Sequence, residues 1–242
     1  MSTGMDVDLA GKVAIITGGT GALGRAVVRA FAAAGATVVV PYRTEASFAG
    51  LRTELGELAG RVSGREVDVT DEAQVARLVT EVLVAQGRID LLLNLVGGYA
   101  SGRFLETDVA LWDRMFQLNF RSTLVCTRAV LPHLVERGSG RVVTIGARLA
   151  LEPPTGSNAY AAAKAAVVSL TQSVAREIKA TGVTINCVAP STIDTAANRQ
   201  LMTKADPGRW VKPEAIAALL VFLCSEAGAA MNGAVIPVYG QL

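Results

Sequence analysis

The sequence predicts an α/β fold in three layers, a doubly wound parallel sheet with helices on both faces. Short β-branched runs alternate with longer Ala-rich stretches along the 242 residues. Hydrophobic residues make up 51% of the chain and charged residues only 18%, as expected where central strands are buried on both faces. No linker or repeat interrupts the alternation, so residues 1–242 are predicted to form a single domain.

The elements are predicted in order from β-branched runs, helical stretches and stop signals. Strands are predicted at 12–17, 37–40, 66–69, 90–96, 141–145, 183–188 and 234–238. Helices are predicted at 22–34, 45–58, 71–85, 110–136, 159–180 and 213–224. Gly35 stops the first helix, and Pro132 is expected to bend the fourth. The irregular connection 192–212 is predicted to be a substrate lid, with Met202 and Trp210 either covering substrate or packing the loop onto the body.

Composition also excludes several classes of function. A net charge of +2 gives no sign of nucleic-acid binding, and the apolar runs are shorter than the roughly 20 residues of a membrane span. Residues 1–12 are predicted to be a surface lead-in with no targeting role, so the protein is expected to be cytoplasmic. Cys126, Cys187 and Cys224 are expected to be buried thiols. With His133 as the single histidine, neither a histidine metal site nor a Ser-His-Asp triad is expected.

A glycine-rich turn joins the first predicted strand to the first helix, in the order Thr17-Gly18-Gly19-Thr20-Gly21-Ala22-Leu23-Gly24. Glycines let the backbone approach a pyrophosphate, and the helix N-terminus offers free N–H groups. The strand-turn-helix context favours a dinucleotide site of Rossmann type over a turn that needs glycine for sterics alone. The cofactor contacts predicted in this turn are Thr17, Gly18, Thr20, Gly21, Leu23 and Gly24.

The end of the second predicted strand bears on the choice between NADH and NADPH. An acidic residue there would hydrogen-bond the ribose 2′-hydroxyl, but Tyr42 holds that place and Arg43 follows. Arginine forms charge-assisted hydrogen bonds to phosphate. NADP(H) is therefore favoured over NAD(H); the alternative is that Arg43 is only a solvated surface charge.

Tyr160 and Lys164 stand four residues apart in a predicted helix. This spacing places both side chains on one helix face. An adjacent ammonium favours phenolate, so the pKa of Tyr160 is expected to lie below its ordinary value of about 10. The pair is suited to acid–base chemistry, and Lys164 is also placed to hold a nicotinamide ribose.

The order of these motifs resembles the short-chain dehydrogenase/reductase family over residues 12–240. The resemblance implies that Asn119, Tyr160 and Lys164 form the catalytic set, with Asn119 supporting a water that contacts the lysine. The alternative for Asn119 is that it only satisfies a buried backbone group. A homodimer or homotetramer is also implied. The further cofactor contacts implied are Asp68, Val69, Asn94, Gly97, Pro190, Ile193 and Thr195, the last two against the nicotinamide carboxamide.

The chain departs from the family pattern at Ala147, where a serine usually hydrogen-bonds the substrate oxygen. Alanine has no donor, and losing one such donor typically costs about 3 to 4 kcal/mol of barrier. Thr144, Ser157 and Ser191 lie near in sequence, with no basis for choosing among them. In the glycine turn, Gly21 in front of Ala22 also shifts the family's usual spacing.

Three segments resemble dihydropteridine reductases, family members that lack this serine: 97–102, 146–151 and 193–199. A quinonoid dihydropterin is electron-poor and needs less help at oxygen, so it is a candidate substrate, although those enzymes prefer NADH. The sequence thus predicts an NAD(P)H-dependent oxidoreductase that transfers hydride to a small organic substrate. The alternatives are a non-catalytic dinucleotide-binding protein and a 3-oxoacyl or ketone reductase.

Overall fold

A single parallel sheet organises the chain in the computed structural model, which describes residues 7–242. Its strands are β1 (Val13–Thr17), β2 (Thr37–Tyr42), β3 (Val62–Glu66), β4 (Leu91–Asn94), β5 (Gly140–Ile145), β6 (Val183–Pro190) and β7 (Val235–Val238). They lie in the order β3-β2-β1-β4-β5-β6-β7. The chain changes direction across the sheet between β1 and β4, and ligands of such sheets bind in the crevice beyond the strand ends at that point. The predicted doubly wound α/β class is confirmed.

Helices cover both faces of the sheet. They are α1 (Ala22–Ala33), α2 (Glu45–Leu55), α3 (Glu72–Gln86), α4 (Val109–Phe116), α5 (Ser122–Glu136), α6 (Arg148–Leu151), α7 (Asn158–Glu177), α8 (Ala196–Leu201) and α9 (Pro213–Cys224). Successive strand residues point to opposite faces. Ile16 therefore packs with Phe31 and Leu220 of α1 and α9, whereas Ile15 packs with Leu78 and Leu134 of α3 and α5. The result is the three layers that the sequence predicted.

Several boundaries differ from the prediction at the crevice. β3 covers Val62–Glu66 and ends three residues before the predicted strand 66–69 does, because Asp68 turns the chain and Asp71 caps α3. The predicted helix 110–136 contains a π-helical turn at Gln117–Arg121. The segment 192–212 is more ordered than predicted, since it contains α8 and a 3₁₀ turn at Pro207–Arg209.

Three predictions from composition can be compared with the described residues. The three cysteines are free and buried, as expected. In the described part of the chain, no helix is both long enough and apolar enough to span a membrane. The first six residues of the predicted N-terminal lead-in lie outside the described residues.

Candidate active site

The glycine-rich turn is tightly packed at the carboxyl end of β1 and leaves backbone donors free. Gly18 has a φ of +68°, and a Cβ there would lie 2.9 Å from the backbone nitrogen of Val96. A Cβ on Gly24 would lie 2.0 Å from the carbonyl oxygen of Gly18. Gly21 precedes α1 without a side-chain cap, so the first N–H groups of the helix are available to an anion. The turn fits a pyrophosphate.

The three other predicted cofactor contacts of the turn, Thr17, Thr20 and Leu23, differ in burial and in their hydrogen bonds. Thr20 lines the adjoining cavity, and its carbonyl accepts a 2.9 Å hydrogen bond from Nε of Arg25. Leu23 is partly buried against the core. Thr17 is buried, and its hydroxyl links β1 to β4 by accepting from the Leu95 nitrogen at 3.1 Å. Thr17 therefore fixes the start of the turn relative to the end of β4.

A cavity of about 530 Å³ extends from the turn across the ends of β2 and β3. It brings together Gly18, Arg43, Asp68 and Val69, four of the predicted cofactor contacts, with Arg114 and Gln117 of the α4 region, which the sequence did not indicate. No local motif marks those last two, because only the packing of α4 brings them here.

Two polar side chains that line this cavity, Asp68 and Tyr42, already have hydrogen-bond partners within the protein. Asp68 accepts hydrogen bonds from the nitrogen and the hydroxyl of Thr70 at 2.9 and 2.8 Å. These bonds, and nearby Arg43, hold the pKa of Asp68 below its usual range. The Tyr42 hydroxyl donates to Glu45 at 2.5 Å, so Tyr42 does not offer a free donor. Arg43 is exposed.

At the end of β4 the chain passes between two predicted catalytic residues. A Cβ on Gly97 would lie 2.7 Å from Oδ1 of Asn119 and 3.2 Å from Nζ of Lys164. Asn94 donates to the Thr127 hydroxyl at 3.1 Å, while its buried Oδ1 has no partner within the described residues. Asn94 therefore contributes to the interior beneath the site.

Asn119 lies inside the π-helical turn, a feature frequent at functional sites. Its Oδ1 accepts from the Gly98 nitrogen at 3.1 Å, and its Nδ2 donates to the carbonyls of Gly98 and Met115 at 3.0 Å each. Both amide hydrogens are thereby used. Asn119 therefore positions the backbone at Gly98, which agrees with the alternative that it satisfies buried backbone groups.

Tyr160 and Lys164 lie on one face of α7. Lys164 is buried and donates to the Ile145 carbonyl at 2.8 Å; burial lowers the pKa of Lys164 to about 8. The expectation of a lowered tyrosine pKa was wrong: burial and the neighbouring Tyr99 raise the pKa of Tyr160 to about 12. The reason is that burial disfavours the charged phenolate. Tyr160 is therefore a protonated donor at neutral pH.

The three hydroxyls near Ala147 in sequence have different partners. Thr144 is buried and bonded to the Thr171 hydroxyl at 2.7 Å. Ser191 donates to the Tyr239 carbonyl at 2.7 Å. Ser157 lies 2.8 Å from the hydroxyl of Tyr99, next to Tyr160. The tertiary structure thus distinguishes Ser157 from the other two.

An ion pair between Asp194 and Lys212 joins the two ends of the segment 192–212. Asp194 accepts from Arg199 at 2.6 and 2.8 Å and from Lys212 at 2.5 Å. These bonds hold the pKa of Asp194 far below its usual range. Thr195 caps α8 by accepting from the Asn198 nitrogen at 3.2 Å, which leaves its hydroxyl hydrogen free.

The remaining predicted residues of this segment lie at its root. Pro190 ends β6 and pairs with Val238, and Ile193 bridges to Val211. Trp210 is buried, so it packs the segment onto the body and does not cover substrate. Met202 is only partly buried.

The family model of the short chain dehydrogenases matches residues 12–206. This chain belongs to that family. Because the match runs from β1 to beyond α8, it includes the glycine turn, the Tyr160 and Lys164 pair and most of the segment 192–212.

Relatives of this short-chain dehydrogenase include two named enzymes. The 3-oxoacyl-acyl-carrier-protein reductase of Thermotoga maritima is 31% identical over 97% of this chain and 98% of its own length. The meso-2,3-butanediol dehydrogenase of Serratia marcescens is 34% identical over 95% of this chain and 93% of its own.

Two solved structures share the fold of this short-chain dehydrogenase. The crystal structure of gox2181 has a TM-score of 0.91 at 30% identity, covering 97% of this chain and 96% of its own. ElxO with NADP bound has a TM-score of 0.90 at 26% identity, covering 95% and 97%.

Proposed function

We propose that this short-chain dehydrogenase is an NAD(P)H-dependent reductase of a small organic carbonyl or an equally electron-poor acceptor. The observation that carries the proposal is the convergence of Tyr160, Lys164 and the Gly97 backbone beside the glycine-rich turn. One helix supplies a proton donor and a cation there, next to space that fits a dinucleotide.

When bound, the reduced nicotinamide supplies a hydride to the substrate carbon. Tyr160 donates its phenol proton to the substrate oxygen as the C=O π electrons move onto that oxygen. The Lys164 ammonium stabilises the negative charge left on the Tyr160 oxygen until a solvent proton replaces the one transferred. Asn119 hydrogen-bonds both backbone groups of Gly98, so the backbone on this side of the site keeps one position.

The proposal is tested by titrating the purified chain with NADPH and NADH, then following cofactor oxidation with a quinonoid dihydropterin, simple ketones and a 3-oxoacyl thioester. The thioester and the ketones are included because the relatives' names point to such substrates. Binding with turnover of any acceptor is expected. Binding without turnover of any of them would favour the non-catalytic alternative, for which the missing hydroxyl at Ala147 is the supporting observation.

Reduction is expected to fall as the pH rises, and the reverse oxidation to rise. Tyr160, with a pKa of about 12, must be protonated to reduce and deprotonated to oxidise. Lys164 loses its proton near pH 8, so the fall in reduction should begin there. Measuring kcat/KM in both directions from pH 6 to 10 checks this, with cofactor affinity followed in parallel. A reduction rate that increases with pH would contradict it.

We also propose that NADPH is preferred over NADH through Arg43. Arg43 borders the cavity that holds Asp68 and Val69, and a charge-assisted hydrogen bond contributes about 1.5 to 3 kcal/mol. Arg43→Ala is therefore expected to weaken NADPH binding about 10- to 100-fold and NADH binding less than threefold. Calorimetric titration of both cofactors measures this, with exposed Arg52→Ala as the control. Equal loss for both cofactors would remove the phosphate contact from the proposal.

A further inference from the structure

We propose that Tyr99 is a further catalytic residue, whose phenol O–H donates to the substrate oxygen and supplies the hydrogen bond that Ala147 does not. Ser157 positions this hydroxyl. The inference rests on the proposed reductase function. Negative charge grows on the substrate oxygen during hydride addition, and a second fixed donor beside Tyr160 stabilises it.

The position of Tyr99 is set by the backbone on both sides of it. Asn119 holds the carbonyl and nitrogen of Gly98, immediately before Tyr99. Three residues beyond Tyr99, the Gly102 nitrogen donates to the Gly156 carbonyl at 2.8 Å, and Gly102 forms a β-bridge with Ser157. The loop after β4 is thus tied to the start of α7, the helix that carries Tyr160.

Tyr99 lies in contact with the proton donor. The rings of Tyr99 and Tyr160 are 5.2 Å apart between centroids and meet edge to face at 78°. The Tyr99 hydroxyl lies 2.8 Å from Oγ of Ser157, a residue only three positions before Tyr160. The Tyr99 side chain is therefore held between Ser157 and the ring of Tyr160.

The hydroxyls of Tyr99 and Ser157 together retain one hydrogen that is free to donate a hydrogen bond. Tyr99 and Ser157 bring two O–H groups, and their mutual hydrogen bond uses one hydrogen. Ser157 is only 5% exposed, whereas Tyr99 is 57% exposed. The geometry lets Ser157 donate to Tyr99, which leaves the accessible O–H of Tyr99 for a ligand.

Other donors around Ala147 are already used. Thr144 and Ser191 are bonded to Thr171 and to the Tyr239 carbonyl. Arg148, the next residue, is bonded to Glu152 at 2.7 Å and lies over the Tyr239 ring. Among the residues compared, Tyr99 combines an exposed side chain with ring contact to Tyr160.

The first test compares Tyr99→Phe with Tyr239→Phe, which removes a phenol hydroxyl that lies beside Arg148 and Glu152. With a ketone that the unaltered enzyme reduces, Tyr99→Phe is expected to lower kcat about 100- to 1,000-fold. Its NADPH affinity and unfolding midpoint should stay unchanged, and Tyr239→Phe should keep the unaltered rate. A Tyr99→Phe rate within threefold of the unaltered one, or a matching loss of NADPH affinity, would overturn the proposal.

The second test is rescue by a new hydroxyl donor at position 147. Adding Ala147→Ser to Tyr99→Phe is expected to restore at least tenfold of the lost kcat, because it returns one donor to the site. A structural role of the Tyr99 ring predicts no recovery, and absence of recovery would overturn the proposal. Failure of the unaltered chain to reduce any acceptor would overturn the proposed function, and the inference with it; failure confined to the Tyr99 variants would overturn the inference alone.

Discussion

Tyr160→Phe is expected to lower kcat about 100- to 10,000-fold while NADPH affinity changes less than twofold. The range is that of a lost general acid. The substitution removes the proton that the substrate oxygen receives but keeps the ring that packs edge to face on Tyr99. Steady-state reduction and cofactor titration on the same preparation measure the two quantities.

Tyr239→Phe is the matched control for this variant, because it deletes a phenol hydroxyl that lies elsewhere, beside Arg148 and Glu152. It should leave kcat unchanged. Parallel loss of kcat and of NADPH affinity in Tyr160→Phe would mean that the hydroxyl is structural. Full activity would remove Tyr160 from the mechanism.

Lys164→Met is expected to abolish most turnover and yet stabilise the fold at neutral pH. Lys164 is 4% exposed, and burial lowers its pKa from 10.5 to about 8. A pKa difference of this size means that burying the ammonium lowers the free energy of unfolding by about 3 kcal/mol. Losing the 2.8 Å bond to the Ile145 carbonyl offsets roughly 1 kcal/mol of that. A net gain of about 2 kcal/mol is expected, with a higher unfolding midpoint.

The pH dependence fixes the sign of this effect. Between about pH 8 and 10.5 the unfolded chain binds the Lys164 proton and the folded chain does not, so the stability of the unaltered protein rises with pH across that window. The advantage of Lys164→Met should therefore be largest below pH 8 and become a disadvantage of about 1 kcal/mol above pH 10.5, where only the lost hydrogen bond remains. Denaturant unfolding at pH 7 and 10 measures it, with exposed Lys179→Met as control. A destabilised Lys164→Met at pH 7 would show that the lysine contributes more than its burial costs.

The candidate site divides into parts that local sequence predicts and parts that it does not. The glycine turn, Tyr160 and Lys164 are recognisable because strand-turn-helix order and a four-residue spacing are local properties. The direction of the tyrosine pKa was not predictable in this way. It depends on how much water the surrounding packing removes, and here burial raises it.

Boundaries near the crevice show the same division. The helix 213–224 matches its prediction because Pro213 and an apolar stretch mark it locally. The π-helical turn around Asn119 was missed, since no local signal distinguishes it from the helices on either side. Within this turn Asn119 accepts a hydrogen bond from Gly98, which lies twenty-one residues earlier in the sequence.

By itself, the sequence determined the α/β class, the doubly wound order, the glycine-rich strand-turn-helix and the placement of Tyr160 and Lys164 on one helix face, because periodicity and short spacings encode each of them. Only the tertiary structure decided which hydroxyl lies beside Tyr160. Thr144, Ser157 and Ser191 are equivalent in the sequence, but Tyr99, fifty-eight residues from Ser157, meets only that one. Hydrogen bonds between distant segments depend on how loops pack across the sheet edge, and no local pattern specifies that packing.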